Sequence, residues 1–132
     1  MNQLRGIIED LEVNNSLSLV RVRVGEQQLS AIVIDTPETL DWLRKGGDVG
    51  VVFKETEVVL GKDDGAAISL QNRIPGSVAS IEQGQLLSRV VLDTAVGPVA
   101  SVITSRAVTQ LGLKEGASAV AFIKTNEVML EA

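Results

Sequence analysis

Leu17-Ser18-Leu19-Val20-Arg21-Val22-Arg23-Val24 alternates apolar and polar side chains, the pattern of a strand with one buried face. Gly25-Glu26 turns the chain, and the β-branched run from Leu29 to Ile34 suits its hairpin partner. Ahead of this pair, Arg5 to Leu11 is a short mixed apolar segment closed by a turn at Asn14-Asn15. Behind it, Asp35-Thr36-Pro37-Glu38 predicts a helix start: a capping hydroxyl, proline at the first helical position and then an acid in the first turn. Leu40 and Leu43 share one face of that helix, and Gly46-Gly47 stops it. Val49 to Phe53 and Glu57 to Leu60 predict two more short strands.

The same order returns in the second half. Ser77 to Ile81, Leu86 to Asp93 and Val99 to Thr104 read as strands, Arg106 to Leu111 as a short helix, and Ser118 to Ile123 and Val128 to Leu130 as the last strands. Sliding the chain by 70 positions superimposes the halves without a gap: Asn2 falls on Asn72, Gly6 on Gly76, Leu43 on Leu113, Gly46 on Gly116, Lys54 on Lys124 and Glu57-Val58 on Glu127-Val128. A register held that long points to duplication of one structural unit. Five short strands with a helix between the third and fourth is the order of a small, partly open OB-like barrel. The expected fold is therefore all-β: two tandem OB-like five-stranded barrels, each with one short helix. The first unit covers 1–61, the second 69–132, and the small polar residues 62–68 form a linker or exposed turn. A unit of about sixty residues buries a thin core, so the copies are expected to pack on each other or on other chains.

Composition narrows the function. The chain has 132 residues, 45% of them apolar, and a net charge of -5, which argues against a nucleic-acid surface. The three aromatics Trp42, Phe53 and Phe122 sit in apolar segments rather than on a stacking platform. Histidine and cysteine are both absent, which removes the Ser-His-Asp and Cys-His machineries, the usual zinc sites and any disulfide framework. Carboxylate or lysine chemistry remains, and nothing clusters those groups, so an enzyme is not expected. Asp63-Asp64 reads as a solvated turn, and Gly46, Gly84 and Gly116 as turn residues with unusual backbone angles. No apolar run reaches the roughly twenty residues of a membrane span and no signal peptide opens the chain, so a cytoplasmic location without membrane insertion is expected.

One segment carries a signature. Ser69-x-x-Asn72, followed by Pro75-Gly76-x-Val78-x-x-Ile81-Glu82-x-Gly84, resembles the start of a Mop (molybdenum-pterin-binding, TOBE-type) domain. Thr104-Ser105-x-x-Val108-x-x-Leu111-Gly112-Leu113-Lys114-Glu115-Gly116 is similar to its helix and following turn, and Lys124 to Leu130 to its closing strand. These motifs span the second copy; the first matches more loosely, and the whole resembles the di-Mop molbindins. The resemblance implies OB-like barrels, binding of molybdate or tungstate for storage, homeostasis or sensing, and a homo-oligomer (dimer or trimer) with anion sites between units. It also admits an alternative, a regulatory or interaction module like the C-terminal domain of a molybdate-transporter ATPase, with a weak or vestigial anion site and a transporter or regulator subunit as partner. Gln71 stands where molbindins usually have arginine, as in the ATPase version, so a neutral amide replaces a charge there.

A tetrahedral dianion can be held by backbone N–H groups, hydroxyls and a lysine, and a helix N-terminus offers free donors. The expected oxyanion-binding residues are accordingly Ser69, Gln71, Thr104, Ser105, Lys124 and Thr125, with Thr36 and Lys54 as secondary contributors. Each has a plainer reading: Ser105 as a helix cap, Lys124 as a solvated lysine, Ser69 as a linker serine. Opposite Thr104, Ser105 and Thr125 the first copy has Ile34, Asp35 and Glu55, and a carboxylate repels a dianion, so that copy is expected to be mainly structural.

Overall fold

The computed structural model describes residues 1–63 and 67–132. Alternation in the first hairpin becomes burial on one face. β1 (Asn2–Asn14) pairs with β2 (Leu17–Val24), and β2 with β3 (Gln27–Val33), with Val20, Val22 and Val24 inside. β1 is longer than expected and serves two neighbours, since its first half pairs with β4 (Asp48–Phe53). A bulge between Ile8 and Asp10 lets it curl between the two. The second copy repeats this with β6 (Asn72–Gln83), β7 (Leu87–Thr94), β8 (Gly97–Thr104) and β9 (Ser118–Ile123), and with a bulge at the equivalent place, between Val78 and Ser80. The bulge residues bond to the glycine turns: Ile8 C=O accepts from Gly46 N–H and Val78 C=O from Gly116 N–H, both at 2.8 Å. Gly46 and Gly116 have φ of +86° and +85°, so the expectation of an unusual backbone holds there. Gly84 differs: its φ is not positive, and glycine is needed because a Cβ would run into the Leu87 carbonyl.

The closing strands change places. β5 (Val59–Gly61), from the first copy, pairs with β9, and β10 (Met129–Glu131), from the second, pairs with β4. The two five-stranded sheets thus run β10-β4-β1-β2-β3 and β5-β9-β6-β7-β8, each coiled into a half-barrel completed by the other copy. One hydrophobic cluster joins them, with Ile8, Leu29, Leu43 and Phe53 from one copy and Ile74, Leu92, Val108 and Ile123 from the other. Trp42 packs, partly buried, against it.

Two asparagines lock the exchange. Asn72 Nδ2 donates to the Ser30 carbonyl at 2.8 Å, and its Oδ1 accepts from Ser30 N–H at 2.7 Å. Asn2 makes the equivalent pair with Ala100, both at 2.8 Å. Ser30 and Ala100 lie on the outer strands β3 and β8, whose outward peptide groups would otherwise lack strand partners; each side-chain amide stands in for one residue of a further strand.

α1 (Ser105–Gln110) is the helix of the second copy, and Thr104, not Ser105, caps it: its Oγ1 accepts from Ala107 N–H at 3.1 Å. The helix expected after Asp35 is absent; residues 35–47 are a succession of turns. The 70-residue shift explains why. Thr104 becomes Ile34, which cannot accept, and Ala107 becomes Pro37, which has no N–H to donate. Thr39 Oγ1 bonds to Asp35 Oδ1 at 2.6 Å and to the Thr36 carbonyl at 3.1 Å, stabilising an isolated turn instead. The final segments also open as short 3-10 turns, Glu55–Glu57 and Thr125–Glu127, before their strands begin. The linker reading over 62–68 and the turn at Asp63-Asp64 fall partly on 64–66, outside the described residues. Among the described residues no helix is long and apolar enough to cross a membrane.

Candidate anion-binding site

Lys54 and Lys124 follow β4 and β9 in extended conformation and lead into the 3-10 turns, so each exposed ammonium stands where its chain leaves one sheet for the other. Because of the exchange, the turn at 125–127 packs against β3 of the first copy and the turn at 55–57 against β8 of the second. Each junction therefore mixes the copies.

At the β3 junction Lys124 and the half-buried Thr125 lie on the turn, while exposed Gln71 directly precedes the Asn72 that grips Ser30. Exposed Ser69 is held in its bend by Arg73, which donates to the carbonyls of Leu70 at 3.1 Å and Ile68 at 3.3 Å and lies 5.9 Å from the Phe122 ring centroid. Arg73, the only arginine of the signature segment, is a contact that sequence reasoning missed. Among the described residues Lys124 has no carboxylate partner, so its charge is available. Thr36 is placed apart, in a hollow of about 370 Å³ with Val13, Asn15, Pro37 and Glu38, and its carbonyl accepts from Thr39 and Leu40.

Thr104 ends β8, the strand that the turn with Lys54 and Glu55 packs against, and Ser105 opens α1. Thr104 is exposed. Ser105 is buried, its hydroxyl 2.6 Å from the Gly84 carbonyl it donates to and 2.8 Å from Ser88 Oγ, and its N–H goes to Leu86 C=O at 2.9 Å. Its donors are thus spent within the second copy. Met1, Lys54, Glu55, Thr56 and Val102 line a hollow of about 370 Å³ where that turn meets β8. Glu55 pairs with Arg89, Oε1 to Nε at 2.8 Å, and with the Met1 amino nitrogen at 3.3 Å. The Arg89 hydrogen bond holds the Glu55 carboxyl below its ordinary pKa, against the opposing effect of burial.

The eight residues expected from sequence are therefore divided. Ser69, Gln71, Lys124 and Thr125 go with the β3 junction, Lys54 with the β8 junction, Thr104 and Ser105 with the step from β8 into α1, and Thr36 stands alone. An ammonium, a hydroxyl and an amide at a chain reversal can hold an anion by charge and hydrogen bonds. Among the described residues no three His, Cys, Asp or Glu side chains come together as a metal site.

Comparison with known proteins agrees with this architecture. The TOBE domain matches residues 68–130. The chain is 30% identical over 132 residues to the Molybdenum transport protein ModE of Herbaspirillum seropedicae, covering 98% of this chain and 49% of that protein, and so spans about half the length of that relative. It is 39% identical over 65 residues to Molybdenum-pterin-binding protein 1 of Clostridium pasteurianum, covering 48% of this chain and 96% of that protein. Among solved structures, the cytoplasmic molybdate-binding protein ModG with molybdate bound superimposes with a TM-score of 0.93 at 33% identity, over 99% of this chain and 95% of that one. A duplicated OB-like unit, a TOBE match over its second copy and this likeness to molybdenum-pterin-binding proteins place the chain in the TOBE-type (Mop) family of molybdenum-pterin-binding proteins.

Proposed function

We propose that the chain binds molybdate without converting it, as an intracellular store, buffer or sensor of molybdenum. The observation that supports this most is the likeness to a molybdate-bound ModG over nearly the whole chain, both strand-exchanged halves included. In this reading the Lys124 ammonium, the Thr125 hydroxyl, the Gln71 amide and Ser69 contact the anion. Thr104 reaches it from the β8 end of a neighbouring chain in a homo-oligomer, with Ser105 fixing the backbone behind it. Lys54 and Thr36 contribute secondarily. Units 1–61 and 69–132 are the duplicated modules, and catalysis forms no part of the role.

Isothermal titration of molybdate into the purified protein, with sulfate in parallel and tungstate as competitor, tests the proposal. Micromolar or tighter binding of molybdate but not sulfate is expected. No heat and no thermal shift in a folded protein would refute it. A second reading, a regulatory module of a longer molybdenum-responsive protein, is favoured by the match of the chain to half of ModE. In that case binding persists and a partner domain reads it.

A further inference from the structure

The two junctions are related by the 70-residue shift, and besides Asp35 standing opposite Ser105 they differ at one pair of positions that bears on anions. Where the β3 junction has Thr125 and Leu19, the β8 junction has Glu55 and Arg89. These two side chains meet across the exchange, one on the first copy's 3-10 turn and the other on the second copy's β7, with Arg89 Nε and Nη2 at 2.8 and 3.3 Å from the two carboxylate oxygens. The Glu55 side chain is only 20% exposed, between a cavity of about 290 Å³ that includes Arg89, Gln3, Val91 and Pro98 and the hollow that includes Lys54. Its second oxygen also takes the Met1 nitrogen. Glu82 lines a further hollow with Arg89 without bonding to it. A guanidinium with two N–H groups aimed at two oxygens is the geometry that recognises a free oxyanion, and here the chain supplies the oxygens itself.

We infer that Glu55 is a tethered anion: its carboxylate fills the cation site of the β8 junction, so that the β3 junction alone is open to free oxyanion. This rests on the molybdate reading above and adds to it which junction works and why. It makes Glu55 the residue that decides how many anions each chain takes. A tethered carboxylate competes with free oxyanion at a fixed effective concentration set by the chain, whatever the dilution of the protein.

The test is to count molybdate equivalents bound per chain by titration in the wild type, in Glu55→Gln and in Glu55→Thr, the latter carrying the residue found at the related position. Thermal unfolding checks that each variant is folded. At least one charge-neutral variant is expected to gain one further equivalent per chain, with affinity falling as salt rises. Adding Arg89→Leu should abolish the gain while leaving the original equivalents intact. An unchanged count in both folded variants, or a gain that survives Arg89→Leu, overturns the inference. A wild type that binds no molybdate sinks the functional reading instead. The difference between variant and wild type still judges the role of Glu55 in that case.

Discussion

Truncating Asn72 to alanine probes the lock between the copies. Asn72 is 1% exposed, and its amide makes two short bonds to the N–H and C=O of Ser30. Asn72→Ala removes both. Each bond contributes about 1 kcal/mol net, and stranding a buried peptide group costs about 1–3 kcal/mol. Ser30 is only partly buried, so water relieves some of that penalty, and the loss should be about 2–4 kcal/mol. At about 2.1 cal/mol/K per residue, a chain of 132 residues has an unfolding entropy of about 0.28 kcal/mol/K, which converts the loss to a fall in Tm of about 7–14 °C. Urea and thermal unfolding, followed by far-ultraviolet circular dichroism, measure it. Asn2→Ala should cost at least as much, because Asn2 holds the buried Ala100 by the same two bonds and water relieves less of the penalty there. Asn72→Asp should also destabilise, since it sets a carboxylate oxygen against the Ser30 carbonyl. Exposed Asn126→Ala, the control, should change stability by less than about 0.5 kcal/mol. If Asn72→Ala behaves like that control, the amide lock contributes nothing and the account of how the halves are joined is wrong.

Three further outcomes are expected. Lys124→Ala should weaken molybdate binding at least tenfold while leaving the unfolding midpoint unchanged, because the side chain is exposed and pairs with no carboxylate among the described residues; an unchanged affinity removes it from the site. Thr104→Ala should cost about 1 kcal/mol by uncapping α1, seen as a fall of about 3–4 °C in Tm. Glu55, whose carboxyl is held below its ordinary pKa by Arg89, contributes stability that is complete above the unfolded carboxyl's pKa and disappears as pH falls through the lower folded value. Acid unfolding curves of wild type and Glu55→Gln should therefore converge below that range and diverge above it, and parallel curves at all pH would contradict the ion pair.

Much of the barrel was legible because alternation fixes which face of a strand is buried. Leu17 to Val24 became β2 with Val20, Val22 and Val24 inside, although Ser18 rather than Leu17 shares their buried face, and the paired glycines 46 and 116 turned where their positive φ is needed. Alternation says nothing about whose edge a strand joins, however, and so Glu57–Leu60 was legible as a strand end but its place in the opposite sheet was not. The first-copy helix was misread because Thr36 and Pro37 look like a start signal out of register; the position that matters holds Ile34. For the site, the residue types were visible but their grouping was not. The hydroxyl of Ser105 is spent on Gly84, and the contact between Glu55 and Arg89 joins residues from different copies through the exchange.

The traded strands also decide what the duplication achieves. A single copy, cut from its twin, would lack the last strand of its own sheet and carry one that fits only elsewhere, so it could complete itself only by meeting a second chain. Such a meeting depends on concentration, and a dilute solution would dissolve it. Joining two copies end to end makes the same exchange intramolecular and therefore independent of dilution. Neither half can then unfold while the other persists, and a scanning calorimeter should record one transition where two modules in tandem would suggest two.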